Sequence, residues 1–492
     1  MAVALLTAFL SACKSKIPEH GHEQGPNPLA YTLYSDKLEI FVEFPPLVVG
    51  NTSKFAAHFT ILGEKFLPLS EGTVSISLVV GEKGIKHVAD TPTVPGIYRL
   101  ALKPGVVGTG KLIFDITTKS FTDQIIIDNV SVYADEKTAI EMNPEEKGSN
   151  DITYLKEQAW KVEFANARIK KQAFSNIIKT NGLILSAPGD EIMVTAKASG
   201  IVLFSGKSSI IGSKVNTGMN LFAISGGDLT MENIDANYKE AKDNYEKAKL
   251  DYDRSNELIK DKIISQKDFQ DVKLKYDIAK IAYQTLAKNY STKGQIVSSP
   301  INGFVKDILV TEGQYVVSGT PLAIISKNKK LILQANVSQK YFDKLSSIAS
   351  ANFQLAGNEK VLSTSDLNGR VISYGKSASA NSPFIPVSFE IDNIGNIISG
   401  SVAEVYLKSY RISDALVIPV SSLIEEQGIF YVYVQTGGER FQKREVTLGA
   451  SDGIHVQLLT GVLEGERVVT KGAYQIKLST AAGTLPAHGH EH

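Results

Sequence analysis

The chain has 492 residues, too long for one ordinary core, so about three to five domains are expected. Lys and Arg together number 52, as do Asp and Glu, a balance that points to neither nucleic acid nor an anionic membrane surface. Hydrophobic residues make up 43% and aromatics 8%, the content of a globular protein, and no apolar run reaches the roughly 20 residues of a membrane-spanning helix.

The single cysteine, Cys13, excludes an intrachain disulfide. It closes the apolar segment AVALLTAFLSAC. Small residues before a cysteine at such a point are similar to a bacterial lipoprotein cleavage box. On that reading the segment is removed and Cys13 becomes a lipidated N-terminus that tethers without spanning. No Lys or Arg precedes the apolar run, which departs from the pattern; the alternative is an ordinary signal peptide with an incidental cysteine. The following KSKIPEHGHEQGPNPLA is polar and interrupted by Pro and Gly, a flexible tether. Residues 1–29 are therefore read as signal and linker.

Residues 30–135 alternate with period two. Val74, Ile76 and Leu78 interleave with Thr73, Ser75 and Ser77, and Leu112, Phe114 and Ile116 repeat the pattern. Turn signals EGT, VPG and KPG separate short runs, which predicts an antiparallel β-sandwich. VPGIYRLALKPG resembles small immunoglobulin-like modules of bacterial envelope proteins. The charged stretch at 136–154 is read as a linker.

Next comes an internal repeat. IGSKVNTGMNLFAIS (211–225) aligns with EGQYVVSGTPLAIIS (312–326). Gly212, Val215, Gly218, Leu221, Ile224 and Ser225 match Gly313, Val316, Gly319, Leu322, Ile325 and Ser326 at one constant offset. Upstream, KASGIV parallels PINGFV with a two-residue slip. The glycines suit turns with positive φ and the Leu and Ile one strand face, which implies two related β-hairpin halves.

Between the halves lie two heptad tracts. One runs through Ile234, Tyr238, Ala241, Tyr245, Ala248, Tyr252, Ser255 and Ile259, the other through Phe269, Val272, Tyr276, Ala279, Tyr283, Leu286 and Tyr290. Apolar positions every 3.5 residues make a narrow coiled-coil seam, and a short connection forces the tracts antiparallel. Each helix would be roughly 40 Å long. At the break, Ser265 stands three residues before an acidic residue, close to a capping box; Leu258, beside Ile259, packs on the seam. Arg254 lies beside the tip with a planar donor fork suited to a partner's carbonyls or carboxylates, or else is a solvated helix charge.

From about 327 β character returns in LILQANVS, PFIPVSFEID and GSVAEVYLKSY. The layout is nested, with a β-barrel domain (155–190 and 328–411) enclosing a split lipoyl domain (191–228 and 294–327). The latter encloses the α-helical hairpin (229–293). A membrane-proximal β domain (412–480) and a His-containing tail (481–492) follow. The fold class is mainly β multidomain with an inserted antiparallel coiled-coil hairpin.

This nesting, with ALVIPVSSLIEEQGIFYVYV, FQKREVTLG and LLTGVLEGERVVTKGA, resembles the periplasmic adaptor subunits, or membrane fusion proteins, of tripartite efflux pumps, over roughly 155–478. The names barrel, lipoyl and membrane-proximal come from that resemblance. It implies a non-enzymatic periplasmic protein of the Gram-negative envelope that links an inner-membrane transporter of the resistance–nodulation–division type to an outer-membrane channel. It also implies self-association into a ring, expected to be hexameric, and a lipid anchor. Adaptors whose hairpin tip docks on the channel share an Arg, a Leu four residues later and a Ser seven after that; Arg254, Leu258 and Ser265 fit this spacing. The 30–135 sandwich lies outside the common core; extra N-terminal modules occur in some heavy-metal adaptors.

No nucleophile elbow, phosphate loop, dinucleotide fingerprint or HExxH occurs. A carrier lysine would sit in the turn that the hairpin replaces, so no covalent cofactor is expected. Two terminal groups carry metal-ligand chemistry: His20, His22 and Glu23, and His488, His490, Glu491 and His492. His58, His87 and His455 stand alone in sequence. Imidazole with carboxylate suits Zn²⁺, Co²⁺, Ni²⁺ or Cu²⁺ as cargo, at modest affinity because mobile ligands must be ordered; the other reading is polar tails with no metal role. Scattered methionines do not suggest a thioether site. The function expected is adaptor for heavy-metal export; the alternatives are an adaptor for drugs or organic compounds and a stand-alone periplasmic metal-binding protein.

Overall fold

The structure, a computed structural model, describes residues 27–144, 151–227, 233–376, 383–394 and 397–481. Cys13, His20, His22, Glu23, His488, His490, Glu491 and His492 lie outside the described residues. The fold is mainly β, with one long helical hairpin, and divides into two compact units. One is Met1–Phe174 with Ser413–Ala450 and His455–His492; the other is Ser175–Ile412 with Ser451–Ile454.

The first unit opens with a β-sandwich. One sheet holds Leu29–Tyr34, Leu38–Phe44, Ser53–Ile61, Leu67–Pro68 and Ile97–Leu102; the other holds Leu47–Val48, Thr122–Tyr133, Gly108–Thr117, Thr73–Val80 and Lys83–Ala89. The period-two pattern has a direct cause. Val74, Ile76 and Leu78 lie opposite Ile116, Phe114 and Leu112 in the antiparallel ladder, and all six are buried. One-residue slippage would turn every one to solvent, and each fully buried side chain of this size contributes about 1.5–3 kcal/mol. Phe59 sets its ring edge-on to Tyr98 at 5.4 Å.

Two expected boundaries are corrected. The stretch 136–154 is not all linker: Glu136–Met142 is a helix whose Asp135 cap accepts the Thr138 amide at 2.9 Å, and Ile152–Thr153 is a strand. Nor does 155–190 enter the barrel as one piece. Ile152–Thr153 pairs with Arg440 and Phe441, and Ala165–Arg168 pairs with residues 467–471; it is the next strand, Lys171–Ser186, that joins the barrel, with Gly182–Ser186 paired to Leu331–Ala335 and Ile178 and Ile184 in the barrel core. Tyr154, Ala159, Phe164 and Ala165 find their core among Ile424, Tyr433, Phe441, Val469 and Ile476, and Phe66 of the sandwich joins it. Partners so distant in sequence leave no local periodicity. The rest of this C-terminal domain pairs Leu416–Pro419 with His455–Leu458 and Phe430–Gln435 with Phe441–Val446, and the helix Ala473–Ala481 follows.

In the second unit, Lys330–Ser338 pairs with Phe384–Asp392, and Ser350–Leu355 with Ala403–Lys408, around Leu331, Leu333, Phe353, Phe389 and Val405. The repeat halves interleave. Lys214–Val215 of the first pairs with Gly303 and Phe304 of the second, and Tyr315–Val316 of the second pairs with Gly200 and Ile201 of the first. Gly212 donates to the Val305 carbonyl, Gly313 to that of Val202, both at 2.8 Å. Matched turn glycines have φ of 85° and 83° (Gly212, Gly313) and 85° and 91° (Gly218, Gly319). Gly200 and Gly303 mark equivalent crossings, where a Cβ would lie 2.5 and 2.2 Å from the carbonyl oxygens of Ser225 and Ser326. Neither half can complete its sheet alone, which makes the pair an obligate unit.

Candidate functional site at the hairpin tip

The outgoing helix is Ile234–Lys260 and the return helix Gln266–Ala287. Burial is confined to a seam: Tyr238, Tyr245, Tyr252, Phe269, Tyr276 and Tyr283 are half-buried, while the Lys, Glu and Asp positions between them are exposed except Lys280, which lies over the Tyr276 ring. The seam tyrosines form a ladder. Tyr252 lies 5.9 Å from Phe269 and 4.8 Å from Tyr276; Tyr245 lies 5.9 Å from Tyr276 and 5.1 Å from Tyr283; Tyr238 lies 5.8 Å from Tyr283. Such aromatic pairs are each worth about 0.5–1.5 kcal/mol beyond area burial.

One seam residue belongs elsewhere. The second tract was expected to carry helix to Tyr290, but the return helix stops at Ala287 because Asn289 turns left-handed at φ 61°. Tyr290, now in a short strand, still stacks on Tyr238 at 3.9 Å. Its hydroxyl donates to Asp235 at 2.6 Å, and the other Asp235 oxygen accepts the Gly226 amide at 2.8 Å. Burial, then the Asp235 hydrogen bond, holds the Tyr290 hydroxyl well above the ordinary phenol range. Asn233 caps the outgoing helix through the amides of Asp235 and Ala236. The hairpin root is thereby fastened to the strand ending at Ser225.

The tip reverses in five residues, 261–265. Ile263 donates to the Leu258 carbonyl at 2.9 Å and Lys262 to that of Ile259 at 3.1 Å, the paired bonds of a Schellman ending. Its left-handed position is Lys262, at φ 57°, where glycine is usual. Lys262→Gly should therefore stabilise the tip by about 0.5–1 kcal/mol, less than the full relief because glycine also frees the unfolded chain. Hydrogen exchange at the Ile263 amide should slow by about two- to fivefold; faster exchange would contradict the strain. Ser265 starts the return helix, its Oγ accepting the Asp268 amide at 3.1 Å and donating to Asp268 Oδ2 at 2.6 Å.

Each residue of the expected trio has a defined place. Leu258 is half-buried and supplies a carbonyl of the turn, Ser265 is the exposed cap across it, and Arg254 is exposed on the outgoing helix. Arg254 lies six residues before that helix ends, about 9 Å along the axis. Among the described residues no hydrogen bond or ion pair engages its guanidinium, whereas Lys260 is taken up by Glu257 at 2.7 Å. An unengaged fork at a solvent-facing tip can grip carbonyls or carboxylates of another protein at small desolvation cost. Local pattern missed one cluster entirely: His58, isolated in sequence, meets Glu157 and Glu439 in space.

Residues 416–477 match the CzcB C-terminal circularly permuted SH3-like domain. The chain is 24% identical over 304 residues to the nickel-cobalt-cadmium resistance protein NccB of Alcaligenes xylosoxydans xylosoxydans, covering 60% of this chain and 74% of that one. It is 25% identical over 244 residues to the multidrug resistance protein MdtA of Pantoea ananatis, covering 46% of this chain and 57% of MdtA. It is 21% identical over 418 residues to the nickel and cobalt resistance protein CnrB of Cupriavidus metallidurans, covering 82% of this chain and 98% of CnrB.

Proposed function

We infer that this chain, a membrane fusion protein of the efflux-adaptor family, serves as the periplasmic adaptor of a heavy-metal exporter. It links an inner-membrane transporter of the resistance–nodulation–division type to an outer-membrane channel, and its work is assembly rather than catalysis. The observation that carries this reading is the nesting: a hairpin whose only burial is its own seam projects from two interleaved β halves and ends in an unengaged arginine. A free-standing binding protein has no use for a bare two-helix arm of about 40 Å.

Further parts of the reading have their own supports. Leu250, Leu274, Ile278 and Ile281 are exposed on the hairpin away from its seam, which suits packing against copies of the same chain in a ring. A lipid on Cys13 supplies the membrane tether. The similarity to NccB and CnrB supports divalent metal cations as cargo, collected by the histidines of the two tails, with Zn²⁺, Co²⁺, Ni²⁺ and Cu²⁺ as candidates. The similarity to MdtA supports a second reading, in which the same adaptor serves organic compounds.

Deletion of the gene should lower tolerance to at least one of zinc, cobalt, nickel or copper salts by several-fold, restored by the wild-type copy. Unchanged tolerance to all four, with new sensitivity to drugs, would assign the adaptor to organic cargo instead.

A further inference from the structure

The sandwich, the connecting segment and the C-terminal domain meet around one buried imidazole. His58, in the central sandwich strand Ser53–Ile61, is 2% exposed, flanked by Phe41 with ring centroids 5.5 Å apart and by Trp160 at 6.1 Å. Its Nε2 lies 3.2 Å from Glu157 Oε1, on the short helix Lys156–Ala159. Glu439, buried in the turn before the strand Arg440–Ser451, completes the group, with one ligand atom from each residue within 4.8 Å of the others. The other imidazole nitrogen, Nδ1, is buried and has no hydrogen-bond partner.

We propose that His58, Glu157 and Glu439 form a binding site for a borderline divalent cation, Zn²⁺, Co²⁺ or Ni²⁺, that joins the N-terminal sandwich to the C-terminal domain. One imidazole and two carboxylates are the ligand types these ions take, and three protein ligands leave a coordination position for water. Two ligands at about 2.1 Å from a tetrahedral ion lie about 3.4 Å apart, close to the 3.2 Å already separating His58 from Glu157. The remaining closure falls to Glu439, whose side chain must draw in from at most 4.8 Å.

The cluster sets two carboxylates beside one imidazole. Lys156 cannot neutralise the group with its ammonium, which is committed to Glu39 at 2.5 Å; only its backbone amide reaches Glu439, at 2.7 Å. A divalent ion would neutralise both carboxylates at once and remove the mutual repulsion.

The site differs from the terminal histidine groups in being assembled from three segments of one compact unit. Binding there concerns the folded chain alone; whether the chain exports metal is a separate question. The test is Zn²⁺ titration of the purified full chain carrying alanine at His20, His22, His488, His490 and His492, so that the tails contribute nothing. One Zn²⁺ equivalent should bind and raise the melting temperature. Glu157→Gln, at a partly exposed side chain, and Glu439→Gln should each weaken binding by at least about tenfold, the scale of losing even an outer-shell partner. They should also abolish the visible bands of tetrahedral Co²⁺, with the metal-free melting temperature of Glu157→Gln near that of the parent. No binding by the alanine-substituted parent, or binding indifferent to Glu157→Gln, would overturn the site whatever the resistance phenotype.

Discussion

Arg254→Asp should abolish export in living cells while leaving the protein folded at its normal level. Arg254 is exposed and engages no other described residue, so the fold loses only the difference in helix propensity, under about 0.7 kcal/mol. At a docked tip the same change removes a charged donor fork and places a carboxylate before the acceptors it gripped. Losing one partner of an interfacial charge-assisted contact costs about 2–5 kcal/mol, about 30- to several thousandfold in affinity, before any new repulsion is added. Site-specific cross-linking from the tip to an outer-membrane channel should fall with resistance. Arg254→Lys keeps the charge and loses the planar fork, so an intermediate phenotype is expected. Normal export by Arg254→Asp would remove this residue from the docking surface and leave the tip's role to Leu258 and Ser265.

The second large effect concerns stability. Lys156→Ala should destabilise the unit that holds the sandwich and the C-terminal domain by about 3–5 kcal/mol, because it strands a buried carboxylate. Glu39 is fully buried; its Oε1 accepts from Lys156 Nζ at 2.5 Å, Tyr34 at 2.7 Å and Gln435 at 3.0 Å, while Oε2 has no partner. Without the ammonium, two neutral donors must hold the charge. A fall in melting temperature of about 6–20 °C follows for a unit of this size. The double variant Glu39→Leu with Lys156→Met should recover most of it, since an apolar pair of similar volume commonly matches a buried ion pair. An unchanged transition in Lys156→Ala would show that the pair contributes nothing to holding the two domains together.

Much of the fold is legible in the chain because its signals are local. The alternation at Val74, Ile76 and Leu78 is a statement about one strand face, and the structure sets those residues against Ile116, Phe114 and Leu112. The seven-residue spacing of the tyrosines describes a seam, and the rings stack along it. Ser265 before Asp268 is a capping pattern complete within four residues. The repeat was readable because its turn glycines and buried Val, Leu and Ile recur at one offset, and each pair occupies equivalent backbone and burial.

Other features needed long-range pairing. Ala165–Arg168 and Lys171–Ser186 both read as β, but only three-dimensional pairing sends the first to residues 467–471 and the second to the barrel. Tyr290 continues the heptad count, yet it meets Tyr238 from outside the helix.

By itself the amino-acid sequence determined the element types, the nested order, the helical hairpin and the position of Arg254 at its tip, because periodicity, capping and turn chemistry act over a few residues. The tertiary structure alone decided how the two repeat halves exchange strands, where residues 151–170 belong, and that Lys156 neutralises Glu39. It also decided that His58, Glu157 and Glu439 meet at one point around a buried imidazole. Those outcomes depend on burial and on partners some 100 to 380 residues apart, and desolvation, which makes an ion pair or a metal ligand set strong, exists only once the chain has closed around it.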